Sequence, residues 1–170
     1  MAGPYPLFLI RHGIAEERGD AWPDDAKRPL SEDGIERFRK SARGLAQLDV
    51  WIDVVLTSPL VRARQTADIV ASAFDPRPSI ITIESLAPEG SYASLVADLE
   101  KHGRKTRIAL VGHEPGIGEL AARLIGLRHP IEFKKGAVCR IDVDTAAPPH
   151  SGEIRWFLTP RIMRGLGKRR

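Results

Sequence analysis

Cysteine is nearly absent: Cys139 is the only one in 170 residues. No intrachain disulfide can form, and this residue, set in an apolar alternating run, reads as a small core hydrophobe. Nowhere do roughly 18 apolar residues follow one another, the length a membrane-spanning helix needs. The chain does not open on the basic-then-apolar pattern of a secretory leader, so the expected location is the cytoplasm. Internal repeats and low-complexity linkers are missing too. A chain of this length buries roughly 70% of its unfolded surface, so one domain is expected, with no disulfide or metal needed for stability.

An excess of basic charge is found only at one end. The formal net charge is +4, with 26 basic and 22 acidic residues. Five of the basic residues lie in Arg161–Arg170, which holds no acid, so the first 160 residues carry 21 basic against 22 acidic side chains. That balance excludes a nucleic-acid-binding face on the main body. It predicts one domain over residues 1–160 and a basic, solvated C-terminal tail over 161–170.

Apolar runs alternate with helix-period segments. Strands are predicted at 5–11, 53–57, 79–83, 107–112, 137–143 and 153–159. A helix is predicted over 32–48, capped by Ser31, with Ile35, Phe38, Ala42 and Leu45 on one stripe. A second runs over 59–74, with Ser58 as cap and Pro59 at the first helical position. A third is opened by Ser91 and covers about 92–102; a fourth covers about 116–126. Strand-helix alternation implies an α/β fold, a three-layer sandwich with a mostly parallel central sheet and helices on both faces. Pro148, Pro149 and Gly152 mark a turn, so the last two strands are expected to pair antiparallel at one edge.

Three strand-like runs end in a cationic or imidazole side chain. Leu7-Phe8-Leu9-Ile10 leads into Arg11-His12-Gly13, Val54-Val55-Leu56-Thr57-Ser58-Pro59 into Arg62, and Ile108-Ala109-Leu110-Val111-Gly112 into His113. Ligands of open α/β sheets bind beyond the carboxyl ends of the strands, where all of these side chains fall. Arg11 and Arg62 offer planar forks of donors that suit phosphate oxygens. Arg62 also lies in the first turn of its helix, where free N–H groups favour an anion. His113, if protonated, is a further donor. His12 then reads as a nucleophile, with one ring nitrogen bare and the other holding its proton on a backbone carbonyl. Each residue also has a plain structural reading, as a surface ion pair or a hydrogen-bonded strand-end histidine; their joint placement favours the chemical one. His102, His129 and His150 read as structural or exposed. No two of the five histidines stand at the i,i+4 spacing of a zinc helix motif, so no metal site is expected.

Phe8-Leu9-Ile10-Arg11-His12-Gly13 resembles the signature of the histidine phosphatase superfamily, also called phosphoglycerate-mutase-like. Thr57-Ser58-Pro59-Leu60-Val61-Arg62-Ala63-Arg64-Gln65-Thr66-Ala67 resembles its second arginine motif, and Val111-Gly112-His113-Glu114-Pro115-Gly116 its second histidine motif. Arg28-Pro29-Leu30-Ser31 followed by Gly34, with Asp25 shortly before, is similar to the small SixA-type phosphohistidine phosphatases. The likeness spans about residues 7–160. It implies an α/β sandwich, a covalent phosphohistidine at His12, and a substrate pocket of Arg11, Gly13, Arg62 and His113. It implies neither metal nor organic cofactor.

One departure bears on mechanism. Larger members of the family resemble one another in a Leu-x-Glu segment that supplies a general acid. Here the stretch is Leu86-Ala87-Pro88, with proline at the glutamate's place. Glu89 is next to it and Glu84 is near, and Asp25 lies in the loop after the first motif; Glu89 and Asp25 are the candidate proton donors. The resulting expectation is a metal-independent phosphohydrolase acting on a phosphohistidine protein. The alternatives are a small-molecule phosphomonoesterase and an inactive phosphoprotein-binding module. Idle relatives typically lose the nucleophile or an arginine, and all four pocket residues are present here. Neither nucleic acid nor membrane is an expected partner.

Overall fold

Leu7 and Leu9 face one side of the first strand, Phe8 and Ile10 the other, and all four are buried in a computed structural model of the chain. The structure describes residues 4–102, 107–144 and 152–168. A strand buried on both faces must be covered by helices on both, which is why its sequence is continuously apolar instead of alternating. The elements run β1 (Tyr5–Arg11), α1 (Glu32–Ala46), β2 (Val54–Thr57), α2 (Val61–Ser72), β3 (Ser79–Thr82), α3 (Tyr92–Lys101), β4 (Ile108–Gly112), α4 (Gly116–Ile125), β5 (Val138–Val143), β6 (Gly152–Leu158) and α5 (Pro160–Leu166). Single 3₁₀ turns lie at Asp25–Lys27 and Glu84–Leu86.

The six strands form one sheet in the order β3-β2-β4-β1-β5-β6. β3, β2, β4 and β1 are parallel; β5 and β6 add an antiparallel edge. One face packs Leu7, Leu9 and Leu110 against Leu95 and Leu99 of α3 and Ile117, Leu120 and Leu124 of α4. The other packs Phe8, Ile10 and Val55 against Phe38 and Leu45 of α1, Ala63, Ala67 and Val70 of α2, and Met163 of α5. The expected three-layer α/β architecture is therefore the one observed. Ser31 and Ser91 cap α1 and α3 as their sequences imply, each accepting from the N–H three residues on, at 3.0 and 3.1 Å.

Two expectations are corrected. Helix α2 starts at Val61 and has no side-chain cap, so Pro59 is outside it. Ser58 is turned toward a tertiary partner described below. The segment read as a frayed tail begins with α5, capped by Thr159, with Met163 fully buried against α1. Gly44 of α1 makes this possible: a Cβ there would collide with the Met163 carbonyl. His150, Pro148 and Pro149 lie outside the described residues. His102 caps the C-terminus of α3 and His129 is exposed.

Candidate active site

β1, β2 and β4 end side by side. Arg11 is in register with Gly112, and Thr57 with Val111. The His12 N–H donates to the Gly112 carbonyl at 3.0 Å and the Ser58 N–H to the Val111 carbonyl at 3.0 Å, which carries the pairing one residue past each strand. Register thus delivers Arg11, His12, Ser58 and His113 to one edge. Arg62 joins them from the first turn of α2. Arg11, His12, Arg62 and His113 all line one open cleft of about 960 Å³. The His12 and His113 rings are 5.1 Å apart, centre to centre, at 56°.

His12 Nδ1 lies 2.7 Å from the Gly13 carbonyl. A carbonyl only accepts, so the neutral ring keeps its proton on Nδ1 and leaves Nε2 bare. Burial pushes the His12 pKa down to about 3, with His113, Arg62 and Arg11 adding repulsion. His113 is pushed down to about 4, again by burial first and then by Arg62. Its side chain is therefore neutral at physiological pH, in place of the protonated donor considered from sequence. His113 Nε2 lies 2.8 Å from Ser58 Oγ, and Ser58 Oγ already accepts from the Leu60 N–H at 3.2 Å. That arrangement turns the hydroxyl hydrogen toward Nε2 and favours the His113 proton on Nδ1.

Four buried side-chain polar atoms among the described residues lack a hydrogen-bond partner, and three belong to this cleft: Arg11 Nε, Arg62 Nε and His113 Nδ1. A buried donor left unpaired costs about 1–3 kcal/mol. Arg11 and Arg62 are otherwise held in place. Arg11 Nη1 donates to the Phe133 carbonyl at 2.6 Å. Arg62 donates to the Asp25 carbonyl at 2.8 Å and to Asp25 Oδ2 at 2.9 Å. A guanidinium has five N–H donors, so three of those on Arg62 remain.

Three positioning residues had no role in the sequence reading. Thr66 Oγ1 accepts from the Gly13 N–H at 3.1 Å and donates to the Arg62 carbonyl at 2.7 Å, which ties the histidine loop to α2. Glu114 takes the Phe133 N–H at 2.6 Å and the Gly118 N–H at 3.2 Å, fixing the loop whose carbonyl orients Arg11. Gly136, at φ 84°, donates one N–H to the carbonyls of both Arg11 and His12, at 3.1 and 3.0 Å. Thr66 and Glu114 lie inside the quoted motifs, so the signal was present without the partner that explains it.

The candidate proton donors differ in setting. Glu89 is exposed on the cleft wall beside Pro88, whereas Glu84 does not line the cleft. Asp25 lines it too, but hydrogen bonds from Arg28, and then the Arg62 charge, hold its carboxyl below the usual range. It is an ionised carboxylate at neutral pH, which is the wrong form for a general acid. Among the described residues no group of three His, Cys, Asp or Glu side chains is placed to hold a metal ion.

The family model of the histidine phosphatase superfamily (branch 1) matches residues 7–87. The chain is 31% identical over 144 residues to the phosphohistidine phosphatase SixA homolog of Haemophilus influenzae, covering 79% of this chain and 86% of that protein. It is 29% identical over 156 residues to phosphohistidine phosphatase SixA of Escherichia coli, covering 91% and 93%. A solved structure of the protein histidine phosphatase SixA complexed with tungstate superposes with a TM-score of 0.80 at 27% identity, over 93% of this chain and 99% of that one. Fold, cleft and relatives together define a phosphatase, a phosphohydrolase of the α/β type with its histidines at the strand ends. The chain belongs to the histidine phosphatase superfamily.

Proposed function

We propose that the protein removes phosphate from phosphohistidine on other proteins, through a covalent phosphohistidine at His12. The observation that carries this reading is the bare Nε2 of His12, set among the unpartnered donors of Arg11, Arg62 and His113. A tetrahedral oxyanion in the cleft that Arg11, Arg62 and His113 line is held by their side chains and presents its phosphorus to that nitrogen. In the first step His12 Nε2 forms a bond to phosphorus as the P–N bond of the substrate breaks. The departing imidazole, protonated on its second nitrogen, leaves neutral. In the second step water attacks the phosphohistidine, giving inorganic phosphate and restoring His12. Charge on the transferring phosphoryl oxygens is held by Arg11, Arg62 and His113. No step requires a metal.

Support for a protein substrate comes from the openness of the cleft and from the relatives whose names include phosphohistidine phosphatase. The SixA structure that this chain resembles is a complex with tungstate, a tetrahedral oxyanion, which is in keeping with a phosphate-binding enzyme. The reading places the enzyme with its phosphoprotein substrates in the cytoplasm. Among the described residues no helix is long and apolar enough to cross a membrane.

The deciding experiment ranks rates on a phosphohistidine protein, phosphoramidate and a panel of phosphomonoesters, with and without EDTA. His12→Ala is expected to keep the fold and lose turnover, and labelled substrate is expected to leave acid-labile phosphate on His12 of the wild type. Arg62→Ala is expected to lose roughly 100- to 1000-fold. Full activity in His12→Ala, or loss in EDTA that returns with added metal, overturns the mechanism.

A further inference from the structure

Helix α5 turns the basic end of the chain into the wall of a second groove. This groove, about 520 Å³, is lined by Arg11, Arg37, Lys134, Lys135, Arg161 and Arg164 against one carboxylate, Glu132. Ile14, Phe38 and Pro160 also line it and give it an apolar floor. Asp33 neutralises Arg37 at 2.7 Å. Lys134, Lys135, Arg161 and Arg164 make no ion pair among the described residues. Because the first 160 residues are nearly balanced in charge, a cluster of unpaired cations in one groove is a local feature. Such a cluster repels itself and attracts an anionic partner.

The groove is not a separate site. Arg11 and Lys135 line both it and the cleft that holds His12. The groove therefore adjoins the cleft, and an occupant of the groove lies next to the phosphate pocket. We propose that it docks an acidic segment of the phosphoprotein substrate, lying beside the phosphohistidine. This rests on the phosphohistidine reading above. A peptide is favoured over a nucleic acid, since the floor accepts an apolar side chain between acidic ones, while Phe38, the one aromatic residue lining the groove, is buried and offers no open face for a base to stack on. The groove then sets which phosphoproteins are used, and acts mainly on capture instead of on the chemical step.

The test uses two synthetic phosphohistidine peptides, alike except that one is flanked by glutamates and the other by lysines. A matching phosphotyrosine pair and phosphoramidate complete the set. The wild type is expected to favour the glutamate peptide by about tenfold in kcat/KM at low salt, mostly through KM, and to lose the preference near 0.5 M salt. Lys134 and Arg161 are exposed and neither lines the cleft. The double variant Lys134→Glu with Arg161→Glu is expected to cancel or invert the preference while hydrolysing phosphoramidate at the wild-type rate. Equal rates on the two peptides, or a preference that survives the charge reversal, overturns the proposal. If only the phosphotyrosine pair is turned over, the phosphohistidine reading falls, and the glutamate preference within that pair still decides the groove. Fluorescence anisotropy of the unphosphorylated peptides reads the same preference without turnover. Inhibition by a DNA duplex with no glutamate preference marks a nucleic-acid surface and also overturns the proposal.

Discussion

Arg62 gives both its terminal nitrogens to Asp25, Nη1 to the backbone oxygen at 2.8 Å and Nη2 to Oδ2 at 2.9 Å. The other carboxylate oxygen takes Arg28 Nε at 2.8 Å, and Arg28 in turn donates to the Glu16 carbonyl at 2.7 Å. One carboxylate thus fastens the loop after β1 to the start of α2 and aims the buried guanidinium at the cleft. An ionised Asp25 in this role affects every substrate through Arg62, whatever the leaving group. Asp25→Asn is expected to lower kcat/KM by about tenfold on phosphoramidate and on an aryl phosphate alike. A loss confined to the ester would return Asp25 to the role of proton donor.

The two cleft histidines make stability depend on pH. Their folded pKa values, about 3 for His12 and about 4 for His113, lie below the unfolded value of about 6.5. Between these limits the unfolded chain binds more protons than the folded one. Stability is therefore highest above pH ~6.5 and falls as the pH drops toward 4, by up to about 1.4 kcal/mol per pH unit for each histidine. Urea unfolding across this window is expected to show a shallower slope for His12→Ala and for His113→Ala than for the wild type. Parallel slopes for all three proteins would mean that the folded histidines titrate normally.

Helix α5 carries a stability prediction of a different kind. Met163 is fully buried against α1, so its truncation removes packed atoms from the core face that also holds Phe8 and Ile10. Met163→Ala is expected to cost roughly 2–5 kcal/mol by urea unfolding. A solvated tail would give no measurable change. Gly44→Ala is expected to destabilise as well, because its methyl group meets the Met163 carbonyl.

What could be read from the sequence was what local chemistry determines. Continuous apolar runs located the strands, serines at helix starts gave two of the caps, and the residues following β1, α2's start and β4 pointed to one cleft. What escaped was decided by partners far along the chain. Ser58 has the form of an N-cap, yet its hydroxyl is spent on His113, 55 residues later. Asp25 has the form of a free loop acid, yet it is bound to Arg62, 37 residues later. Helix α5 has seven residues with a single fully buried side chain, too few for a periodic signal. Its formation depends on a glycine in α1 that lets the two backbones approach.

The leaving group provides the sharpest test of mechanism. Hydrolysis of an alkyl phosphate needs a proton delivered to a poor alkoxide, and general acid catalysis of that kind is worth about 100- to 10,000-fold. By the resemblance of Leu86-Ala87-Pro88 to the Leu-x-Glu segment of larger members, Pro88 stands where their acid would be. Of the two carboxylates that were candidates, Asp25 is ionised and committed to arginines. Glu89 remains, exposed on the cleft wall. A phosphohistidine avoids the problem, because its imidazole takes a proton from water on the second nitrogen and leaves neutral. Rates are therefore expected to fall from phosphohistidine and phosphoramidate, through aryl phosphates with good leaving groups, to alkyl phosphates. Glu89→Gln is expected to slow the esters and to leave the P–N substrates nearly unchanged. Steady-state rates on the three classes, with wild type and Glu89→Gln side by side, decide the matter. Fastest turnover of a sugar phosphate or phosphoglycerate, with a large Glu89→Gln penalty, would make Glu89 a true general acid and the protein a small-molecule phosphatase.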